Sequence, residues 1–377
     1  MNKKLIIVIL MTVFFESILF ADYTVGEGGD FGTIAEALSN ASIDEKLVLN
    51  LIDPVYTESG LIIESDVEIN GASVDGTVIQ AAALPGIAED RVFRVTAGGQ
   101  AVFRDLTIRN GKPTAIPHRG GGIDNEGFVR LERCNLSGNE AVYGGGIFTR
   151  GRVELVDSSL SGNYTTELPN ELINSGIGCR GSGGAIKTEK GGELIIDGCS
   201  IWDNYAFGRG GGVFVACESA AYITNTTIAS NDCRRRGGGI YNNGDLFLNH
   251  VTIANNSSVK RGSGLCSRGR ASMKGTLIAG SSFQDFYIAK GGGIYGEGFL
   301  EVNEGNFVAD GSLDGAASGD PKLKALKTVG GNPPFMPIGI FSPARDGLMA
   351  EDTPEKDQRG RLRGRQPDIG AYEYGLF

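Results

Sequence analysis

The chain has 377 residues and a formal net charge of −10, from 35 basic and 45 acidic side chains. That balance argues against nucleic acid as the main partner. The 59 glycines follow no Gly-X-Y period, which excludes collagen, and with many Val, Ile, Thr and Asn they read as strands joined by tight turns.

Residues 1–21 read as a secretory signal peptide. Lys3 and Lys4 begin it, Leu5 to Phe20 is mostly apolar, and small Ala21 ends it. The run is short for a membrane span and contains Glu16, and no second long apolar run follows. The mature chain is therefore expected to be soluble, with no transmembrane segment. It should be secreted or at the cell surface, whether extracellular, periplasmic or outer-membrane associated. Next, Asp30 to Leu38 has a Thr33-x-x-Glu36 capping box and helical apolar spacing, which predicts a short helix over the open end of a sheet stack. Two coils of alternating strands follow, from Leu61 to Ile79 and from Val92 to Ile108.

From there the sequence repeats. A glycine triplet followed by an aliphatic residue starts at 120, 144, 183, 210, 237, 262 and 291, with GSGL and GGAI as the variants. Most units then carry an aliphatic residue with Asn three places on: LSGN at 136 and 160, IWDN at 201, IASN at 228 and IANN at 253. Short alternating segments between these marks are strands with one face in a core. A coil of this length returns above itself and pairs in parallel without a helix. The prediction is an all-β chain: a right-handed parallel β-helix (a single-stranded solenoid) of about nine coils, with a short N-terminal capping helix and an irregular C-terminal segment. Residues 22–305 would form the cap and β-helix, and 306–377 a segment folding back on the rod. The repeated Asn should be buried and pass amide hydrogen bonds up the stack. A leucine-rich repeat is the rival, since LERCNLSGN (131–139) fits its pattern. The next glycine triplet follows too soon for a convex helix, however.

The six cysteines (134, 179, 199, 217, 233 and 266) permit up to three disulfides in an exported chain, and no CxxC spacing suggests a zinc site. Cys134 and Cys199 share a register two coils apart, with Ser158 between them. That is too far to bridge, so both are expected as buried thiols. His118 and His250 are the only histidines, which leaves little material for histidine chemistry.

Three resemblances follow from these motifs. Over about 120–294 the repeats resemble those of the chlamydial polymorphic outer-membrane proteins. SPARDG (342–347), DQRG (357–360) and DIGAYEY (368–374) resemble the C-terminal module of the choice-of-anchor β-helix proteins. That resemblance implies an exported bacterial protein. With three residues after Tyr374, no appended anchor is expected. GEGGDFGTIAEAL (26–38) is similar to the entry of the pectin methylesterases. That family's paired catalytic Asp and its Gly-Arg-Pro-Trp are not found, so the likeness implies the cap and coils but not the esterase activity.

A basic residue precedes the glycine triplet at Arg119, Arg209, Arg236, Arg261 and Lys290, with Arg180 near the same place. In register these cations would repel one another unless screened, and a polyanion such as a uronate-rich glycan would match them. Tyr164, Trp202 and Tyr205 are expected outside the core and close together, as a sugar-binding patch beside the long unit's extra loop (164–180). A plainer reading makes the arginines covers for exposed turns and the rings ordinary surface aromatics. Two functions compete. One is non-catalytic binding of an acidic polysaccharide or envelope partner, with no cofactor. The other is a polysaccharide lyase acting on uronate-containing glycans. A lyase would call for a Lys or Arg base and calcium held by acids such as Asp124, Glu126, Asp245 and Glu297. No residue is singled out as catalytic.

Overall fold

The structure is a computed structural model that describes residues 20–40, 45–167, 181–288, 298–329, 333–349 and 353–375. Residues 1–19, Cys179, Arg180, Lys290, Ile294 and Glu297 lie outside these.

One coil shows how the repeat folds. Gly120 to Gly122 turns the chain into a strand, Ile123–Asn125, in sheet I. A bend at Gly127 leads to the five-residue strand Phe128–Glu132 of sheet II, and a second bend to Asn135–Ser137 of sheet III. Asn139 closes the coil into the two-residue strand Glu140–Ala141 of sheet IV. Every ladder within these sheets is parallel, and the described residues form nine, eleven, ten and five strands in sheets I to IV. Sheet II thus has two layers more than the nine coils expected. Phe20–Val25 and Lys46–Leu51 pair with each other below the first coil recognised, and they carry neither glycine triplet nor Asn motif.

The register makes identical positions stack. Ile123, Ile147, Ile186, Val213 and Ile240 pair in succession and are fully buried, and Leu265 and Phe286 continue the column. The asparagines form the expected ladder. Asn139, Asn163, Asn204 and Asn231 each donate Nδ2 to the Oδ1 of the asparagine one coil on, at 2.9 to 3.0 Å, ending at Asn256. The same Oδ1 atoms accept the backbone N–H below, so the bend leaves few buried polar groups unpaired.

The triplet glycines have separate jobs. The first sits at positive φ in each unit among the described residues, +59° at Gly120 and +66° at Gly210, where a side chain would be strained. The second, in the units where it is glycine, has no room for a Cβ. At Gly211 that atom would lie 2.4 Å from the Gly238 carbonyl oxygen. Cys134, Cys199, Cys217, Cys233 and Cys266 are free thiols. Cys134 and Cys199 are linked through Ser158, whose Oγ accepts from the Cys134 N–H while its own N–H meets the Cys199 sulfur.

At the N-terminal end, helix Ile34–Ser39 is capped by Thr33, whose hydroxyl accepts from the Glu36 N–H at 3.1 Å, and Glu36 reaches back to the Gly32 N–H. Ile34 and Ala37 cover the first strand stack. The C-terminal segment lies along the outer face of sheet III, where small residues such as Ala229, Ala254 and Ala279 leave space. Gln358 fastens it: Nε2 donates to the Cys199 carbonyl and Ser200 Oγ, both at 2.9 Å, and Oε1 accepts from Thr227. Arg363 bonds Asn225, and the Ala371 N–H bonds Thr252. Within the segment, Asp357 is buried against Arg359 and the Glu373 N–H. The DQRG and DIGAYEY motifs are therefore the clamp of tail to rod.

Candidate functional site

In each sheet I strand the middle residue faces outward. The register sets Asp124, Phe148, Lys187, Phe214, Tyr241, Cys266 and Tyr287 in one line along the rod. The basic residues that precede the triplets stand at the corner beside this line and lean over it. Arg119 lies 4.9 Å from the ring centroid of Phe148, Arg209 5.0 Å from that of Tyr241, and Arg261 5.6 Å from that of Tyr287. Each arginine thus covers the ring one coil further along, a favourable cation–π geometry. Between Arg119 and Arg209 the corner holds Tyr143 and Ser182 instead of cations, bridged in line. Two coils, at Tyr143 and Ser182, therefore stand between Arg119 and Arg209. Arg236 leans toward Cys266, where no ring stands, and its Nε has no hydrogen-bond partner among the described residues. Burial pushes the Cys266 thiol up to about 12, outweighing the nearby arginines.

The stretch of this line from Phe148 to Phe214, with the corner from Arg119 to Arg209, lines a cleft of 510 Å³. Its lining includes five cations (Arg119, Arg150, Lys187, Lys190 and Arg209), two acids (Glu189 and Glu218) and three rings (Tyr143, Phe148 and Phe214). Lys187 sits at the floor with its Nζ 4.5, 5.2 and 5.7 Å from the centroids of Tyr143, Phe148 and Phe214. It also pairs with Glu189 at 2.8 Å. Burial raises the Glu189 carboxyl, but Lys187 outweighs that and holds it below its ordinary value. Asp124 is pinned between Arg91 at 2.5 Å and Arg119 at 3.0 Å, and burial pushes its carboxyl up against both. Arg209 makes no ion pair with any described residue.

Of the residues singled out in sequence, Arg119 and Arg209 line this cleft, Arg236 and Arg261 continue its corner, and Lys290 lies outside the described residues. The aromatic trio is elsewhere. Trp202 is on sheet III, its indole N–H donating to Ser159 Oγ at 3.2 Å. Tyr164 and Tyr205 are in-register neighbours on sheet IV, as expected, and the Tyr164 hydroxyl donates to Glu140. None of the three lines the sheet I cleft. The arginines instead meet Phe148, Tyr241 and Tyr287. Phe148, Lys187 and Tyr241 occupy the second position after a triplet, where strand alternation alone would have placed outward side chains, whereas Tyr287 joins the line without a triplet before it.

For calcium, the carboxylates do not fit. Asp124, Glu126 and Glu189 are each bound to a cation, Asp245 lies in a different hollow, and Glu297 is outside the described residues. Among the described residues no three His, Cys, Asp or Glu side chains gather as a metal site. No described helix is long and apolar enough to cross a membrane.

Residues 91–283 match the family model described as the right handed beta helix region. Among solved structures, the pectate lyase Pel9A aligns over 95% of this chain and 97% of its own, with a TM-score of 0.52 and 13% identity. A pectin methylesterase in complex with a hexasaccharide aligns over 78% and 92%, at a TM-score of 0.39 and 14% identity. The pectin methylesterase PemA from Erwinia chrysanthemi aligns over 78% and 88%, at 0.38 and 14%. At these identities the likeness is one of fold. None of the curated proteins matches the chain.

Proposed function

As this chain belongs to the right-handed β-helix family, we propose that it is an exported protein that binds an acidic polysaccharide along the outer face of sheet I. One observation carries the reading: a chain of net charge −10 gathers five cations and two acids around one ring-lined cleft. The guanidinium groups suit carboxylate forks, and the rings suit the apolar faces of sugars. Arg209, which has no described acid beside it, is the first contact for a uronate. Each exposed contact is weak, so affinity comes from repetition along the rod and falls with salt.

The test is calorimetric titration with oligogalacturonate and a neutral oligosaccharide of equal length. The acidic ligand should bind more tightly, and Arg209→Ala should weaken it by about tenfold. Equal affinity for both ligands, or an Arg209→Ala variant as tight as the parent, would rule the reading out.

The alternative is a lyase on uronate-containing glycans. It is favoured by Lys187, an amine held at the cleft floor where a proton beside a sugar carboxylate could be removed. No step is routed through calcium, because the carboxylates present do not fit it. Incubation with polygalacturonate, followed in the ultraviolet for unsaturated products, separates the two. Product formation abolished by Lys187→Ala selects the lyase.

A further inference from the structure

Trp202, the only tryptophan in the chain, stands in a second cleft of 330 Å³, remote in residue make-up from the first. One wall comes from the rod, with Trp202, Asn135 and Asp157. The other comes from the returning tail, with Pro333 and Pro334. The tail wall is fixed in place. The Pro334 carbonyl accepts from Gln358 Nε2 at 3.0 Å and from the Ser200 hydroxyl, so the seam is built from groups that also hold tail to rod.

Its electrostatics are the reverse of the sheet I cleft. The cation lining it, Arg133, is forked onto Asp105 through two bonds of 2.7 Å. Asp75 and Asp157 line it as well, and the Asp157 carboxylate has no ion pair among the described residues. Burial, and then the charge of Asp197, push the Asp157 carboxyl above its ordinary value, as expected for an acid lacking a committed partner. The indole is oriented by its bond to Ser159, so its ring is presented rather than free to turn.

We propose that this seam binds an uncharged pyranose unit of a glycan, with Trp202 against the sugar's C–H face and Asp157 and Asn135 taking its hydroxyls. A carboxylate that accepts from neighbouring hydroxyls makes charge-assisted bonds, and an amide both donates and accepts. Trp202, Pro333 and Pro334 supply the apolar contact. Asp75 and Asp157 repel a uronate, so the two clefts sort acidic from neutral sugar units. The residues are separate from those of the sheet I cleft, and the inference stands without it.

A single tryptophan gives a clean readout, because emission reports this seam alone. The full chain is titrated with cello-, manno- and galacto-oligosaccharides and with oligogalacturonate while the emission maximum is followed. At least one neutral ligand should shift the emission to the blue. Asp157→Asn, which suits the positive φ of that site, should weaken the response by about tenfold, and Arg209→Ala should leave it unchanged. Asn135→Ala gives a second reading should Asp157→Asn fail to fold. The proposal is overturned if no neutral ligand moves the emission at millimolar concentration. It is overturned equally if oligogalacturonate moves it most, or if Arg209→Ala removes the response.

Discussion

Lys187 and Tyr143 form the same cation-over-ring pair as Arg209 and Tyr241, with the partners exchanged. Elsewhere along sheet I the cation stands at the corner and the ring on the strand. Here the ring is at the corner and the amine on the strand, 4.5 Å from the centroid. The exchange moves a positive charge from the rim to the floor of the cleft, where Phe148 and Phe214 also flank it. The pair therefore matters to both stability and ligand contact. Tyr143→Leu should destabilise the protein by about 0.5–2 kcal/mol, the range of a partly desolvated cation–π contact. Urea melts of Tyr143→Leu, Lys187→Met and the double variant should show coupling of the two losses. Simple additivity would show that the ring and the amine do not interact.

The asparagine ladder is cooperative in its chemistry, since each Oδ1 accepts from two groups of the coil below. Replacing Asn231 with Leu would leave the Asn204 N–H without its acceptor and take one of three bonds from its Nδ2, which keeps the Leu160 and Trp202 carbonyls, so the cost is that of a stranded buried donor. The expected loss is about 1–3 kcal/mol, read from the urea midpoint. An unchanged midpoint would mean that water or backbone can replace the amide.

Gly211→Ala should destabilise the protein, whereas the same change inside a helix stabilises. Its Cβ would meet the Gly238 carbonyl oxygen at 2.4 Å and the Asp232 carbonyl oxygen at 2.5 Å, both backbone atoms that cannot rotate away. The coils must part locally, at a cost of about 1–3 kcal/mol by analogy with overpacked cores. Thermal melts of Gly211→Ala beside Gly360→Ala, whose site has positive φ but open space around it, compare missing room with backbone strain. A Gly211→Ala variant that melts with the parent would mean that the coils part at no cost.

Two buried groups under the tail respond to acid in opposite directions. His250 is held to about 3, by burial first and then by Arg363 and Lys274. Its neutral form belongs to the fold, so its contribution is complete above pH 6.5 and is lost as pH falls from there. Asp368 is raised to about 6, by burial first with the charges of Glu373 and Asp346 adding, against N–H donors from Tyr374 and Asp346. The folded state holds that proton more tightly than the unfolded chain, so this contribution grows as pH falls from about 6 toward the ordinary Asp value. Each slope is at most about 1.4 kcal/mol per pH unit. Against the parent, Asp368→Asn should lose stability more steeply between pH 6 and 4, and His250→Gln less steeply. Urea unfolding at several pH values checks this, and three parallel profiles would contradict it.

The parts that could be read from sequence are those whose chemistry recurs in every coil. Ile123, Ile147 and Ile186 announce an inward column, and Asn163, Asn204 and Asn231 a ladder, because stacking at one strand spacing sets each beside its own copy. A repeat of residue type is then already a contact. The two lowest layers of sheet II were not legible, since Phe20–Val25 and Lys46–Leu51 lack both marks and owe their place to pairing beneath the rest.

By itself, then, the sequence determined the coil, the capping helix at Thr33 and the line of cations at the corner. Only the tertiary structure decided what those cations face. Arg209 lies nearer in sequence to Tyr205 and Trp202 than to Tyr241, yet its guanidinium sits over Tyr241, because the corner turns it onto sheet I while Trp202 stays on sheet III. It also decided that the Asp357 and Asp368 motifs clamp the tail and that Pro334 comes to rest beside Trp202. The bonds of Gln358, Arg363 and Ala371 to the rod join residues more than a hundred positions apart, and the tail carries no repeat of its own. No local period encodes them, and the packing of the tail on the small residues of sheet III does.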